Sequence, residues 1–264
     1  MNRSYNANAT PFGQQVDGLL AWPPQEVQLI DVVKRGVFGF NSRDRRSRPF
    51  NLLRSQVDKL MKANGWKKIG ITSATPGVGK TFISCNLAAS MSRMPDRQTL
   101  LFDLDLRRGS VAAKYDLYDE QGIEAYLYGY LDTLASVGRR VTDGNLTIYP
   151  SYRVEGSSSE LLAGHRMRAL SEAMQQLPDN YICLCDLPPA FANDDASIVL
   201  EQLDAYLLVI EEGKTTARQV RDAVALLAPA RCLGTVLNRY NGVMGDDDYG
   251  FGYWRQGSYD AYYT

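Results

Sequence analysis

The residues best placed to do chemistry are the stretch Ala74-Thr-Pro-Gly-Val-Gly-Lys-Thr81 and two acidic patterns further along the chain. Triphosphate oxygens need donors from several directions. A loop that turns tightly into a helix N-terminus aims successive backbone N–H groups at one point. Gly77 and Gly79 permit such a turn, and with Pro76 and Val78 they form the cradle. Lys80 would bring a point charge to the β- and γ-phosphates, and Thr81 a hydroxyl to Mg²⁺. The strict form of this phosphate loop begins with glycine, and here Ala74 stands in that place. The competing reading, a glycine-rich turn with a stray lysine, fits poorly with a position between a predicted strand and a predicted helix.

A nucleotide magnesium is a hard cation, held by one or two carboxylates together with phosphate oxygens and water. Ligands of open α/β sheets bind at the C-terminal ends of strands, so useful acids should lie there. Leu100-Leu-Phe-Asp-Leu-Asp-Leu-Arg107 is an apolar run ending in Asp103 and Asp105, followed by Arg107. Ile182-Cys-Leu-Cys-Asp-Leu-Pro-Pro189 ends in Asp186 and then a rigid turn. Either pattern alone is weak, since acids often terminate strands. Both following one phosphate loop in this order is a sharper signal, and ATP with Mg²⁺ is the expected pair of ligands.

These residues need elements to hold them. Apolar period predicts strands over 69–73, 99–103, 146–150, 181–186, 205–210 and 232–237. Helices are expected from Phe50 onward, over 79–93, 159–177, 194–203 and 215–227, with shorter pieces at 110–115, 122–128 and 131–137. Several strands are apolar throughout, as strands buried on both faces must be. The alternation implies an α/β fold: a doubly wound, mostly parallel sheet with helices on both faces. Residues 1–46 read as an extension and basic linker, with a short helix over 26–37, and residues 47–240 as the body. Residues 241–264 read as a flexible tail rich in Gly, Asp and Tyr.

The composition, 45% hydrophobic and 22% charged over 264 residues, excludes disordered, collagen-like and disulfide-scaffold classes. No apolar run approaches the roughly 18 residues of a membrane span, and the first residues carry no signal-peptide pattern, so a cytoplasmic location is expected. Cys85, Cys183, Cys185 and Cys232 match no zinc spacing and read as buried free thiols. The net charge of −1 hides an asymmetry: residues 34–68 hold eleven basic residues against Asp44 and Asp58, a net +9, leaving −10 on the rest. Such a segment suits anionic lipid, an acidic partner or a second copy. No aromatic interleaving marks it as a base-stacking surface, so nucleic acid fits it worst.

Taken together, the motifs resemble the bacterial tyrosine kinases, P-loop autokinases tied to capsule and exopolysaccharide export, over roughly residues 50–238. Pro76-Gly77-Val78-Gly79-Lys80-Thr81, the apolar run into Asp103-x-Asp105-x-Arg107, and Asp186-x-Pro188-Pro189 each fit that family's pattern. The resemblance implies that Lys80, Asp103, Asp105 and Asp186 are catalytic and that Thr81, Asp103 and Asp186 hold Mg²⁺. It places Asn238 near adenine and makes Asp105 the candidate base, with Asp103 the alternative. It also implies that Tyr249, Tyr253, Tyr259, Tyr262 and Tyr263 are phosphoacceptors, offered to a neighbouring copy in a homo-oligomer. The family's ring motif, Glu-x-x-Arg-x-x-Arg, is departed from: aligned on Arg54, this chain has Arg48 and Asn51. With no transmembrane segment in the sequence, recruitment to the inner face of the cell membrane would need the basic segment or a separate chain-length-regulator protein. The alternative relatives are the partitioning and division-site ATPases, which share the fold and act as nucleotide-switched scaffolds.

Overall fold

The computed structural model describes residues 20, 25–28, 30–118, 121–141, 144–154 and 156–240. Eight strands, β1 (Gln25–Val27), β2 (Lys68–Ser73), β3 (Gln98–Asp103), β4 (Arg139–Val141), β5 (Leu146–Tyr149), β6 (Tyr181–Asp186), β7 (Ala205–Glu211) and β8 (Cys232–Asn238), form one sheet. Their order is β1-β4-β5-β3-β6-β2-β7-β8. From β5 to β8 every neighbouring pair is parallel. β4 reverses direction, antiparallel to β5, and β1 runs parallel to β4, so these two strands at one edge oppose the rest of the sheet. Both β2 and β3 are buried along their whole length, which is why their sequences show no polar alternation.

Among the described residues eight α-helices accompany the strands: α1 (Arg48–Asn64), α2 (Lys80–Met91), α3 (Val111–Lys114), α4 (Ile123–Tyr128), α5 (Ser158–Ala163), α6 (His165–Gln176), α7 (Asp195–Leu200) and α8 (Ala217–Leu226). Two apolar layers follow. On one face α1, α2 and α3 pack Phe50, Val57, Met61, Leu87, Met91 and Val111 against Ile69, Ile71 and Leu101. On the other, α4 to α8 pack Tyr126, Leu162, Met167, Leu170, Val199 and Ala223 against Phe102, Cys183, Cys185 and Leu208. This is the doubly wound, mostly parallel architecture expected from the alternation of patterns.

α2 carries the phosphate loop at its start, and its position is fixed by burial: residues 83–91 are all inside. Ser84, Ala88, Ala89 and Ser90 keep its girth small, so it lies close to the sheet on one side and α1 on the other. α1 begins with Pro49 in its first turn, where a missing N–H is harmless, and ends at Gly65 in the left-handed region (φ 67°).

The structure departs from the sequence reading in four places. Among the described residues of 26–37 no helix forms: Gln25–Val27 pairs with β4, and the left-handed Asp31 (φ 55°) and Gly36 (φ 85°) turn the chain onto α2. The piece at 131–137 is a set of turns whose Leu134 and Val137 are nonetheless buried, followed by β4, which was not expected. The helix over 159–177 is two helices, because Gly164 between them is extended (φ −69°, ψ 165°). Of the four thiols, Cys85, Cys183 and Cys185 are buried but Cys232 is exposed, because β8 is the edge strand.

Part of the expected extension is anchored to the body. Phe38 N–H and Gly39 N–H donate to Asn86 Oδ1 at 2.6 and 3.2 Å, and Asn86 Nδ2 donates to Gly36 O at 2.8 Å. Gly39 is required there, since a Cβ would lie 2.3 Å from the Asn86 carbonyl oxygen. Val37 is buried beside it. Arg46 lies over the Phe38 ring at 4.0 Å and pairs with Asp44, while Lys67 pairs with Asp179 and Lys62 with Asp58. Of these pairs only Lys67–Asp179 reaches an acid outside residues 34–68, so it alone of the three lowers the +9. Asn86→Ala leaves these backbone groups unpaired and is expected to cost about 2–3 kcal/mol. Urea unfolding measures it, and a loss under about 0.5 kcal/mol would mean the anchor contributes nothing.

Candidate functional site

The site is assembled where three strands end. β3 and β6 are neighbours in register, with Asp103 opposite Asp186, so the sheet itself sets their last residues side by side. β2, on the other flank of β6, runs into the phosphate loop and α2. Gly77 (φ 78°) and Gly79 (φ 95°) occupy the left-handed region that the turn requires. A Cβ on Gly79 would meet Asn238 Nδ2 at 2.2 Å. No side chain caps the start of α2, so its first N–H groups and the positive end of its dipole face the loop.

Within this frame the side chains converge. Lys80 Nζ lies 2.7 Å from Asp105 Oδ2 and 3.6 Å from Asp186 Oδ2. Thr81 donates its hydroxyl to Asp186 Oδ2 at 2.6 Å, and Ser84 donates to Asp186 Oδ1 at 2.8 Å. Ser110 donates to Thr81 Oγ1 at 3.1 Å. Asp103 accepts from the backbone N–H of Val111 at 3.0 Å and of Asp105 at 3.3 Å. Arg108 N–H donates to Asp105 Oδ1 at 3.1 Å.

All three carboxylates are buried. Burial, and then the neighbouring Asp186 charge, push the Asp103 carboxyl up to about 8 against the backbone donation from Val111. Burial also raises Asp186, opposed by the Lys80 charge and the hydroxyls of Thr81 and Ser84. On Lys80 burial acts the other way, yet the charges of Asp186 and Asp105 outweigh it and hold the ammonium above the usual lysine range. A cluster with more buried carboxylates than cations is built to accept further positive charge.

The donor set fits a nucleotide with Mg²⁺. Among the described residues no three His, Cys, Asp or Glu side chains close on one point as a self-sufficient metal cage. One hydroxyl and one or two carboxylates, with the rest of the shell left to phosphate and water, is the usual arrangement for nucleotide-bound Mg²⁺. Thr81, Asp186 and Asp103 could hold such an ion and Lys80 the phosphates.

Lys80, Thr81, Asp103, Asp105 and Asp186, singled out in the sequence, are thus brought together. Asn238 stands beside the loop, and its amide donates to Val78 O at 2.7 Å, bracing the loop backbone. Arg107 points elsewhere: its Nε donates to Ser158 Oγ at 2.7 Å, and Ser158 donates in turn to the buried Asp195 at 2.6 Å. Sequence reasoning missed Ser84 and Ser110. Ser84 was within reach of it, one helical turn after Lys80 on the same face; Ser110 carries no such signal. In the departed ring motif, Asn51 Oδ1 accepts from Arg93 and from Ser90 Oγ, and Arg54 donates to Ser90 O at 3.1 Å, so both work within the chain. Tyr249, Tyr253, Tyr259, Tyr262 and Tyr263 lie outside the described residues.

A model of the CobQ/CobB/MinD/ParA nucleotide binding domain matches residues 69–247. Tyrosine-protein kinase etk of Escherichia coli K12 is 36% identical over 171 residues, 64% of this chain and 23% of that protein. The chain belongs to this nucleotide-binding family, in its bacterial tyrosine kinase branch. Tyrosine-protein kinase YwqD of Bacillus subtilis 168 is 29% identical over 200 residues, covering 75% of this chain and 81% of that protein. The solved kinase domain of the E. coli tyrosine kinase ETK superposes with a TM-score of 0.71 at 27% identity, over 86% of this chain and 94% of that one. A chain of the Aquifex aeolicus MinC:MinD cell division protein complex shares the fold, with a TM-score of 0.53 at 18% identity over 66% of this chain and 69% of that one. The chain spans about a quarter of the length of the first curated relatives it matches, 23% for etk.

The raised Asp103 value has a consequence for stability. The folded protein keeps a proton between the unfolded carboxylate value near ~3.9 and about 8 that the unfolded chain has lost. The stability tied to Asp103 is therefore present at low pH and is lost as pH rises through about 8. The nucleotide-free protein should melt lower at pH 9 than at pH 6, and Asp103→Asn should flatten that difference. Parallel melting profiles for the two proteins would contradict the assignment.

Proposed function

We propose that this chain is an ATP-dependent protein-tyrosine autokinase whose kinase domain is residues 47–240 and whose acceptor is the tyrosine cluster of residues 241–264. The observation that carries the reading is the bridge from Lys80 to Asp105 and Asp186 at the mouth of the phosphate loop. A lysine so placed can leave the acids for phosphate oxygens and free Asp105 as it does so. Such an exchange prepares a base only when nucleotide is bound.

A tyrosine hydroxyl has a pKa near ~10 and is a poor nucleophile until its proton is taken. Asp105 would accept that proton as the phenol oxygen bonds to the γ-phosphorus and the bond to the β-phosphate oxygen breaks, with ADP leaving. Lys80 and the α2 amides would hold the phosphates in line, and phosphoryl transfer needs positioning and charge neutralisation above all. Thr81, Asp186 and Asp103 would hold Mg²⁺, which when bound supplies charge neutralisation on the phosphates.

The acceptor is read as the tail of another copy, in a homo-oligomer regulating exopolysaccharide or capsule synthesis and export. Among the described residues no helix is long and apolar enough to cross a membrane. Recruitment by a membrane chain-length regulator to the inner face of the cell membrane belongs to the same proposal.

Incubating the full chain with Mg-ATP should add phosphate to the peptide 249–264, read as a mass shift. Lys80→Ala should lower that labelling by at least about a hundredfold, since it removes charge stabilisation of the transferring group. Release of phosphate to water with an unlabelled tail would favour a nucleotide-switched scaffold and overturn the kinase reading.

A further inference from the structure

Beside the phosphate site lies a second feature that the chemistry above does not use. Arg107, Arg108 and Arg153, with Val154 and Gly156, line an open cavity of about 650 Å³ at the ends of β3 and β5. Arg107 is partly committed, through Ser158 and the Asp195 carboxylate at 3.6 Å. Arg108 and Arg153 are exposed, and neither guanidinium pairs with a carboxylate among the described residues. Three arginines around one concavity repel each other unless something anionic joins them. The planar guanidinium suits carboxylates because it can donate two parallel hydrogen bonds. The cavity also adjoins the candidate base, since the backbone N–H of Arg108 is bound to Asp105.

The chain itself contains a matching anion. Asp246-Asp247-Asp248 immediately precede Tyr249. We infer that the Arg107–Arg108–Arg153 pocket is a substrate-docking site that takes this acidic triplet from a second copy and thereby selects Tyr249 as an acceptor. The inference rests on the kinase reading above. Consecutive Cα atoms are ~3.8 Å apart, so an aspartate held at the rim leaves the next residue's phenol within roughly 10 Å of it, a distance that spans to Asp105.

Reach favours a second copy over the same one. The described chain ends at Tyr240, past β8, and β3 lies four strands away across the sheet. At ~4.8 Å per strand the straight line is about 19 Å. The six residues from Tyr240 to Asp246 stretch at most to roughly 20–22 Å. Within one molecule the segment would have to run fully extended across the mouth of the nucleotide site. A neighbour's tail has no such constraint.

The test separates docking from catalysis. A fluorescent peptide of residues 243–256 is titrated by anisotropy against the full chain carrying Asp246→Asn, Asp247→Asn and Asp248→Asn, so that the protein's own tail does not compete. Binding should weaken about tenfold when the peptide's three aspartates become asparagine, as expected for a few exposed ion pairs. It should weaken similarly in Arg108→Ala/Arg153→Ala protein, and fade with added salt. In the autophosphorylation assay the same double variant should lose Tyr249 labelling about tenfold relative to Tyr262 and Tyr263. Equal binding of acidic and neutralised peptides, or an unchanged Kd in the arginine variant, overturns the docking site. So does a pocket that binds the neutralised peptide only after Tyr249 is phosphorylated, which would make it a product site. If the peptide binds as expected but no tyrosine is ever labelled, docking stands and the kinase reading fails.

Discussion

Three buried carboxylates, Asp103, Asp105 and Asp186, cluster around one half-buried ammonium, Lys80, which pairs with Asp105 and Asp186. Fully ionised, that group carries an excess of negative charge in a setting where unpaired charge is expensive. Everything around it acts to contain that excess. Thr81 and Ser84 donate hydroxyls to Asp186, and the backbone N–H groups of Val111 and Asp105 donate to Asp103. Asp103 is pushed up to about 8, so near neutral pH it is mostly spared ionisation. In this state Lys80 stands in for the cations that a metal-bound nucleotide would bring.

That arrangement depends on the sheet more than on the loop. In a parallel pair a one-residue slip turns every side chain to the opposite face. The β3–β6 register, with Asp103 against Asp186, is held by buried residues along both strands. The loop is then fixed from outside by Asn238, at the end of β8, which binds Val78 O. Since Gly79 has no room for a Cβ against that same amide, the far edge of the sheet and the phosphate cradle constrain each other.

The fold was legible where periodicity and burial agree. The apolar runs of β3, β6 and β7 fit doubly buried strands, and the acids at the ends of β3 and β6 mark the binding edge. What stayed hidden depends on contacts between distant segments. β1 and β4 are three residues each, too short for a period, and exist only because they pair with each other and with β5. The glycine-containing stretch 36–41 falls within the expected extension, yet Asn86, fifty residues away in sequence, gives its backbone a partner. The break at Gly164 was signalled by the glycine but outweighed by apolar residues on either side. Asn238 was expected by resemblance near adenine; its bond to Val78 is a contact no spacing rule supplies.

The sign of charge changes over a short distance at this mouth, and that bears on which segments can approach. The interior is rich in carboxylates, so an acidic tail nearing Asp105 meets repulsion that grows as the surroundings dry out. A neutral tail avoids the repulsion but gains nothing from the field. Arginines on the rim reverse the balance: they hold the acids outside the cluster and let only the following residue continue inward. Several basic residues of 34–68 are already engaged: Lys62 pairs with Asp58, Lys67 with Asp179 and Arg46 with Asp44, and Arg54 binds a helix carbonyl. Arg108 and Arg153 sit instead past the ends of β3, which carries Asp103, and of its neighbour β5, and there a small number of charges can decide which hydroxyl arrives.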